Sequence, residues 1–240
     1  MARYEAPQND NARLALLSRA VITHEQEISM GKRYISTETI QAANTLIPVY
    51  EENINAKSIY LGKRSERIKA KNDSLILLEC YVRDFWEVAK RQISRLNMPP
   101  QLYHYYHLNL NGKVPKPTAR REWLAIAAKL IDGDTRVAAQ GYSTMSNPSA
   151  KDLEAILTKA KNEASKVAMA DRNYDIAQEK IEKLRPQANQ IITDIMAELR
   201  FNLRKKDKAS RRRIMRSYGV RFKYQSSEAA TSDIPEETEV

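Results

Sequence analysis

The sequence predicts an all-α protein, a helical bundle built from two tandem three-helix repeats, and three observations carry that reading. Turn formers are scarce, with 6 Gly and 9 Pro among 240 residues, too few for the frequent turns of an all-β chain. Apolar residues recur at helical spacing over long windows. The same order of apolar positions also occurs twice, offset by about 113 residues.

The elements follow in order. Leu14, Leu17, Val21 and Ile28 mark an opening helix. Ile40, Ile47, Ile54, Leu61 and Ile68 then fall at a strict seven-residue interval. Pro48, inside that run, is expected to kink or interrupt the helix, since it removes a backbone bond and crowds the preceding turn. A further helix from about 74 to 97 carries Leu75, Leu78, Val82, Phe85, Ala89, Ile93 and Leu96. Pro99-Pro100 can open a short helix reaching Tyr106, after which Leu108 and Leu110 alternate with polar residues as an extended segment would.

The second half repeats this plan. Trp123, Ile126, Leu130 and Val137 mark its opening helix. Residues 150 to 182 bear an apolar stripe of Leu153, Ile156, Leu157, Ala160, Val167, Tyr174, Ala177 and Ile181, with Ser149 placed to cap the Asp152 N–H. Pro186 is suited to open a partner helix from about 187 to 204, through Ala188, Ile191, Ile192, Ile195, Leu199 and Leu203. Ser210 can cap a short helix ending at Tyr218, with Gly219 as its left-handed terminator. Val220, Phe222 and Tyr224 then alternate as a half-buried strand, either paired with the Leu108–Leu110 segment or lying on the bundle as a tail.

A shift of 113 places Ile40, Ile47, Ile54, Leu61 and Ile68 on Leu153, Ala160, Val167, Tyr174 and Ile181, and Leu75, Leu78 and Val82 on Ala188, Ile191 and Ile195. A shift of 112 places Leu102, Tyr106, Leu108 and Leu110 on Ile214, Tyr218, Val220 and Phe222. The opening helices align near 109, which puts Glu25 on Asp134 as a candidate pair of symmetry-related carboxylates. This defines a flexible N-terminus at 1–10, a first repeat at 11–110, a linker at 111–118, a second repeat at 119–224 and a disordered acidic tail at 225–240. Long antiparallel helices would bury the apolar face that each repeat leaves wet, either in one pseudo-twofold bundle or in two three-helix domains joined near 108–118.

Charge is unevenly spread. Between Arg200 and Lys223 lie 11 basic residues and one acid, whereas Tyr224 to Val240 holds five acids and no base. The formal net charge of +10 therefore concentrates at the end of the second repeat. Arg204, Lys205, Lys206, Lys208, Arg211, Arg212, Arg213, Arg216, Arg221 and Lys223 are the candidate anion- or nucleic-acid-binding residues. Lysine and arginine neutralise phosphates and release counterions, and Tyr218, Phe222 and Tyr224 could add stacking. A solvated helix end would carry the same charges without a ligand. The acidic tail could compete with a ligand for this patch.

Candidate chemistry is sparse. His24, His104 and His107 are the three histidines, none preceded by Glu at the spacing of helical di-iron sites. His104 and His107 could share a helix face but have no carboxylate or thiol nearby to complete a metal site. No phosphate-binding Gly-rich loop or nucleophile elbow occurs. Cys80, the single cysteine, reads as a buried and inert thiol, and Trp86 and Trp123 as core or interface anchors.

No catalytic residue, cofactor, metal or small-molecule substrate is therefore inferred. The expected function is a non-enzymatic, self-associating interaction or scaffold protein, a homo-oligomer whose basic C-terminal segment contacts an anionic partner. The alternative is a nucleic-acid-binding protein with salt-dependent, weakly selective binding, and a third is an enzyme or metal protein with a site in the bundle core. One cysteine, no apolar leader in the first ten residues and no transmembrane stretch point to the cytoplasm.

Overall fold

A computed structural model describes residues 3–117 and 119–223; Tyr224 and the expected acidic tail lie outside the described residues. The elements are β1 (Arg3–Glu5), α1 (Asp10–Ser29), α2 (Thr37–Arg95), a 3₁₀ helix (Pro100–His104), α3 (Glu122–Ala139), α4 (Ala150–Asn202), α5 (Lys208–Ser217) and β2 (Arg221–Lys223). Three quarters of the residues are helical, so the all-α expectation holds.

The four long helical segments expected from the sequence are two continuous helices, one of 59 residues and one of 53. Neither proline ends its helix. Pro48 and Pro186 are both exposed or half-buried at the helix surface, and Asn44 and Glu182, the residues four back whose carbonyls each proline leaves without a donor, are exposed. Water can serve those carbonyls. Buried residues flank each proline (Ala43, Leu46 and Tyr50 in α2; Ile181, Ala188 and Ile191 in α4), and their packing outweighs a penalty of about 3 kcal/mol. Between residues 68 and 74 no glycine or proline offers a stop, and Ser74 turns its hydroxyl back onto the Lys71 carbonyl at 2.8 Å.

A continuous helix cannot fold back on itself, so its apolar face must be covered by a different part of the chain. Two compact units result: Met1–Ile59 with Asp175–Val240, and Tyr60–Tyr174. Helix α2 begins in the first unit and ends in the second, and α4 runs the other way. The expected alternative of two three-helix domains divided near 108–118 is therefore not what forms. Each unit takes its residues from both halves of the chain.

The core of the first unit joins Leu16, Leu17, Ala20 and Val21 of α1 to Ala43, Leu46 and Tyr50 of α2, Ile192, Ile195 and Leu199 of α4, and Met215 and Tyr218. The core of the second joins Trp123, Ala127 and Leu130 of α3 to Leu153 and Leu157 of α4, Val82, Phe85 and Trp86 of α2, and Leu102 and Tyr106. Trp86 and Trp123 are core residues, 6.1 Å apart between ring centroids, and the Trp86 indole donates to the Tyr106 carbonyl at 2.9 Å.

Local geometry recurs between the halves. Helices α1 and α3 close alike: the Gly31 N–H donates to the Ile28 carbonyl and the Gly141 N–H to the Ala138 carbonyl, both at 2.9 Å, with φ of 72° and 80°. Helices α2 and α4 open alike: the Thr39 N–H donates to Ser36 Oγ at 3.2 Å and the Asp152 N–H to Ser149 Oγ at 3.1 Å. The 3₁₀ helix and α5 end alike: the Leu108 N–H donates to the Tyr103 carbonyl at 2.9 Å and the Val220 N–H to the Met215 carbonyl at 3.1 Å. These three pairs of bonds are offset by 110, 113 and 112 residues.

Several local expectations are corrected. The opening helices match in burial at an offset of 110, so His24 and not Glu25 stands opposite Asp134; Glu25 is exposed and Asp134 buried. Strand β2 does not pair with residues 108–110, which form no strand. It pairs antiparallel with β1, in a stretch expected to be flexible. Cys80 is exposed, because it lies on the side of α2 away from the buried Leu78 and Val82.

Candidate anion-binding cleft

The basic segment begins where α4 ends. Arg204, Lys205 and Lys206 occupy the exposed turn between α4 and α5. Helix α5 is then capped by Asp207, not by Ser210: the Asp207 carboxylate accepts from the Ser210 N–H at 2.8 Å. Bonding with Ser210 holds that carboxyl below the usual range. At the other end of α5, the Ser217 carbonyl accepts from Thr23 Oγ1 at 2.6 Å and from Arg19 Nε at 3.1 Å, which fastens α5 to α1. Gly219 follows at φ 87° and sits tightly on α1, since a Cβ there would stand 3.1 Å from the Arg19 Cβ. Only glycine adopts that turn freely, and it sends β2 alongside β1.

Helix α5 divides its charges between faces. Lys208, Arg211, Arg212 and Met215 are spaced i, i+3, i+4, i+7 and so share one side. That side forms a wall of a cleft of about 330 Å³, whose other lining residues are Met196 and Arg200 of α4 with Tyr4 and Phe222 of the sheet. Tyr4 pairs directly with Phe222 in the antiparallel register, so the two rings project from the same face. Each ring has an arginine over it: the Arg200 guanidinium lies 5.8 Å from the Tyr4 centroid and that of Arg216 6.0 Å from Phe222. Burial raises the pKa of the Tyr4 phenol, and the Arg200 charge opposes this.

The cleft is thus apolar at its floor and cationic at its walls. Among the described residues no carboxylate forms an ion pair with Arg200, Lys208 or Arg211. Fixed cations around an apolar floor suit an anion that also carries a planar or apolar group, because arginine can bind oxygen pairs and stack on rings at once.

Of the ten basic residues predicted from sequence, Lys208, Arg211 and Arg212 line the cleft, and Arg216 reaches it by covering Phe222. Arg213 is exposed on the outer side of α5. Arg204 stacks on Phe201, 3.9 Å from the ring centroid, while Lys205 and Lys206 point into solvent. Arg221 lines a separate cleft of about 210 Å³ beside Glu5, Asn9 and Gly219, and Lys223 pairs across the sheet with Arg3. Sequence reasoning missed Tyr4 and Met196. The only signal for Tyr4 is the alternation Arg3-Tyr4-Glu5, which three residues cannot distinguish from a loop.

The other candidates are placed as follows. His104 and His107 are exposed or nearly so, and among the described residues no three His, Cys, Asp or Glu side chains gather as metal ligands would. Asp134 is buried in the second unit, where it accepts from the Tyr106 hydroxyl at 2.9 Å and the Met145 N–H at 3.0 Å. Among the described residues no helix is long and apolar enough to cross a membrane. No protein-family model, curated protein or solved structure matches this chain.

Proposed function

We propose that this protein is a non-enzymatic, self-associating helical interaction protein that contacts an anionic partner through the cleft between α4, α5 and the β1–β2 sheet. The observation that carries the proposal is the convergence of Arg200, Lys208, Arg211 and Arg212 around Tyr4 and Phe222. Cations held on a shared helix face bind an anion without first being gathered, so less ordering entropy opposes binding.

We also read the chain as an internal duplication, two repeats of roughly 110 residues. Support comes from the recurrence of helix starts, helix ends and left-handed terminators at offsets of 110 to 113 residues. Each compact unit contains a short opening helix, the start of one long helix, the end of the other and a short closing helix. The two units thus use corresponding parts drawn from opposite repeats.

Light scattering of the full chain, with and without heparin at about 50 and 300 mM salt, tests both binding and self-association. A heparin complex that is lost at high salt and in the double variant K208Q/R211Q supports the anion reading. Unchanged binding in that variant refutes the cleft as the contact, and a monomeric mass at all concentrations refutes self-association.

A further inference from the structure

We infer that the anion taken by this cleft is single-stranded nucleic acid, its phosphates on α5 and a base against the Tyr4–Phe222 face; the inference rests on the anion-binding reading above. Three features point beyond charge alone. First, the floor is aromatic on two adjacent strands, with both rings on one side. An unstacked base offers a flat surface to such a floor, and a duplex, whose base faces are already covered, does not.

Second, cations flank both rings. Arg200 lies over Tyr4 and Arg216 over Phe222, while Lys208 and Arg211 stand on the α5 wall. An acidic peptide would satisfy those cations but leave the rings with nothing planar to stack on. An arginine already held over a ring can stack on an incoming base and meet its phosphate.

Third, the pattern continues at the end of α4. Phe201 is 61% exposed with the Arg204 guanidinium over it, next in sequence to Arg200 of the cleft. An exposed aromatic ring braced by an arginine is a second stacking platform beside the first. The turn residues Lys205 and Lys206 add charge there.

The test is fluorescence anisotropy of labelled thymidine and uridine oligonucleotides of about ten residues, titrated with the full-length chain at several salt concentrations. Wild type is compared with Y4L, F201L and K208Q/R211Q, and the melting temperature of each variant is checked. The expected result is that K208Q/R211Q weakens binding and flattens the salt dependence by a slope of about 1.4, two single-strand phosphate contacts. Y4L and F201L should each weaken binding about 5- to 100-fold, the worth of one stacked base, with the salt slope unchanged.

If Y4L disturbs folding, F201L decides the point, because its ring is exposed and carries no core contact. Equal affinity for oligonucleotide, heparin and anionic phospholipid vesicles, with no loss in F201L, would overturn the nucleic-acid inference and leave the anion-binding reading standing. Binding of every polyanion unaltered in K208Q/R211Q would overturn both.

Discussion

Gly133 lies directly beneath the Tyr105 carbonyl: a Cβ on Gly133 would stand 1.9 Å from that oxygen and 2.8 Å from its carbon. Helix α3 and the end of the 3₁₀ helix therefore meet backbone against side-chain-free backbone. The corresponding place in the other unit is Thr23, whose hydroxyl donates to the Ser217 carbonyl. One contact is made by absence of a side chain, the other by a hydrogen bond, and both fasten a short closing helix to an opening helix.

Gly133→Ala should destabilise the protein although alanine is the better helix former. The new methyl meets rigid backbone and not a flexible side chain, and overpacking of this kind costs about 1–3 kcal/mol or more. Gly62 provides the contrast, since it is also helical but a Cβ there would meet nothing within 4 Å. Gly62→Ala should stabilise by about 0.5–1 kcal/mol. Thermal melts of the two variants should shift in opposite directions; shifts of the same sign would refute the close approach at Gly133.

Asp134 supports a second prediction. It is 3% exposed and accepts from both the Tyr106 hydroxyl and the Met145 N–H. Burial, with the Asp134 charge beside it, pushes the Tyr106 phenol well above its ordinary pKa, so the hydroxyl stays protonated as the donor. Asp134→Ala strands both donors in the core, and each unsatisfied group costs about 1–3 kcal/mol. Asp134→Asn keeps an oxygen that can accept and should lose less. Chemical denaturation of the two variants checks the order, and an equal loss would show that the charge itself, and not the acceptor, matters.

Asp10 ties three helices of the first unit together. Its carboxylate accepts from Arg185 Nε and Nη2, both at 2.8 Å, and from the hydroxyl of the fully buried Tyr50, also at 2.8 Å. Arg185 is the main cause holding the Asp10 carboxyl below the usual range. Stability from this group is present above the unfolded-chain value and is lost as pH falls through the lower folded value, so its window lies below about pH 4. Asp10→Ala should cost about 2–3 kcal/mol and Tyr50→Phe about 1 kcal/mol at pH 7. Denaturant midpoints should follow that order, with the Asp10→Ala deficit shrinking in acid.

Periodicity makes the buried stripes legible, because core burial imposes 3.6-residue spacing whatever the partner. Leu78, Val82, Ile191 and Ile195 lie on the apolar faces that this spacing defines, and each is buried. Caps are legible where a side chain acts on its own helix, as at Ser149. Helix continuity is not. Whether Pro186 starts a helix or sits within one depends on the burial of Ile181 and Ala188 on either side, which is tertiary. The cations of the cleft are visible as a run, but their division between the faces of α5 depends on its first residue, Lys208. Tyr4, 218 residues before Phe222, enters only through strand pairing, for which no local pattern exists.

His24 supplies the last prediction, a loss of stability in mild acid. It is 3% exposed in α1, and burial, aided by the Arg33 charge, holds its imidazole pKa below the ordinary value; Glu198 and Glu25 oppose this more weakly. At pH 7.5 the imidazole is neutral in the folded and the unfolded chain alike. As pH falls through about 6.5 the unfolded chain takes up the proton first, so unfolding gains and the folded state weakens. The loss deepens until the pH passes below the folded value and then levels off. This window lies above that of Asp10, so the two are separable. His107 is shifted in the same direction, chiefly by burial and then by Lys129, and contributes its own share. His24→Gln removes the His24 proton site and keeps a helix-forming polar residue. Its fall in melting temperature between pH 7.5 and 5.5 should be smaller than that of the wild type. An identical fall would mean that His24 takes up its proton as readily folded as unfolded.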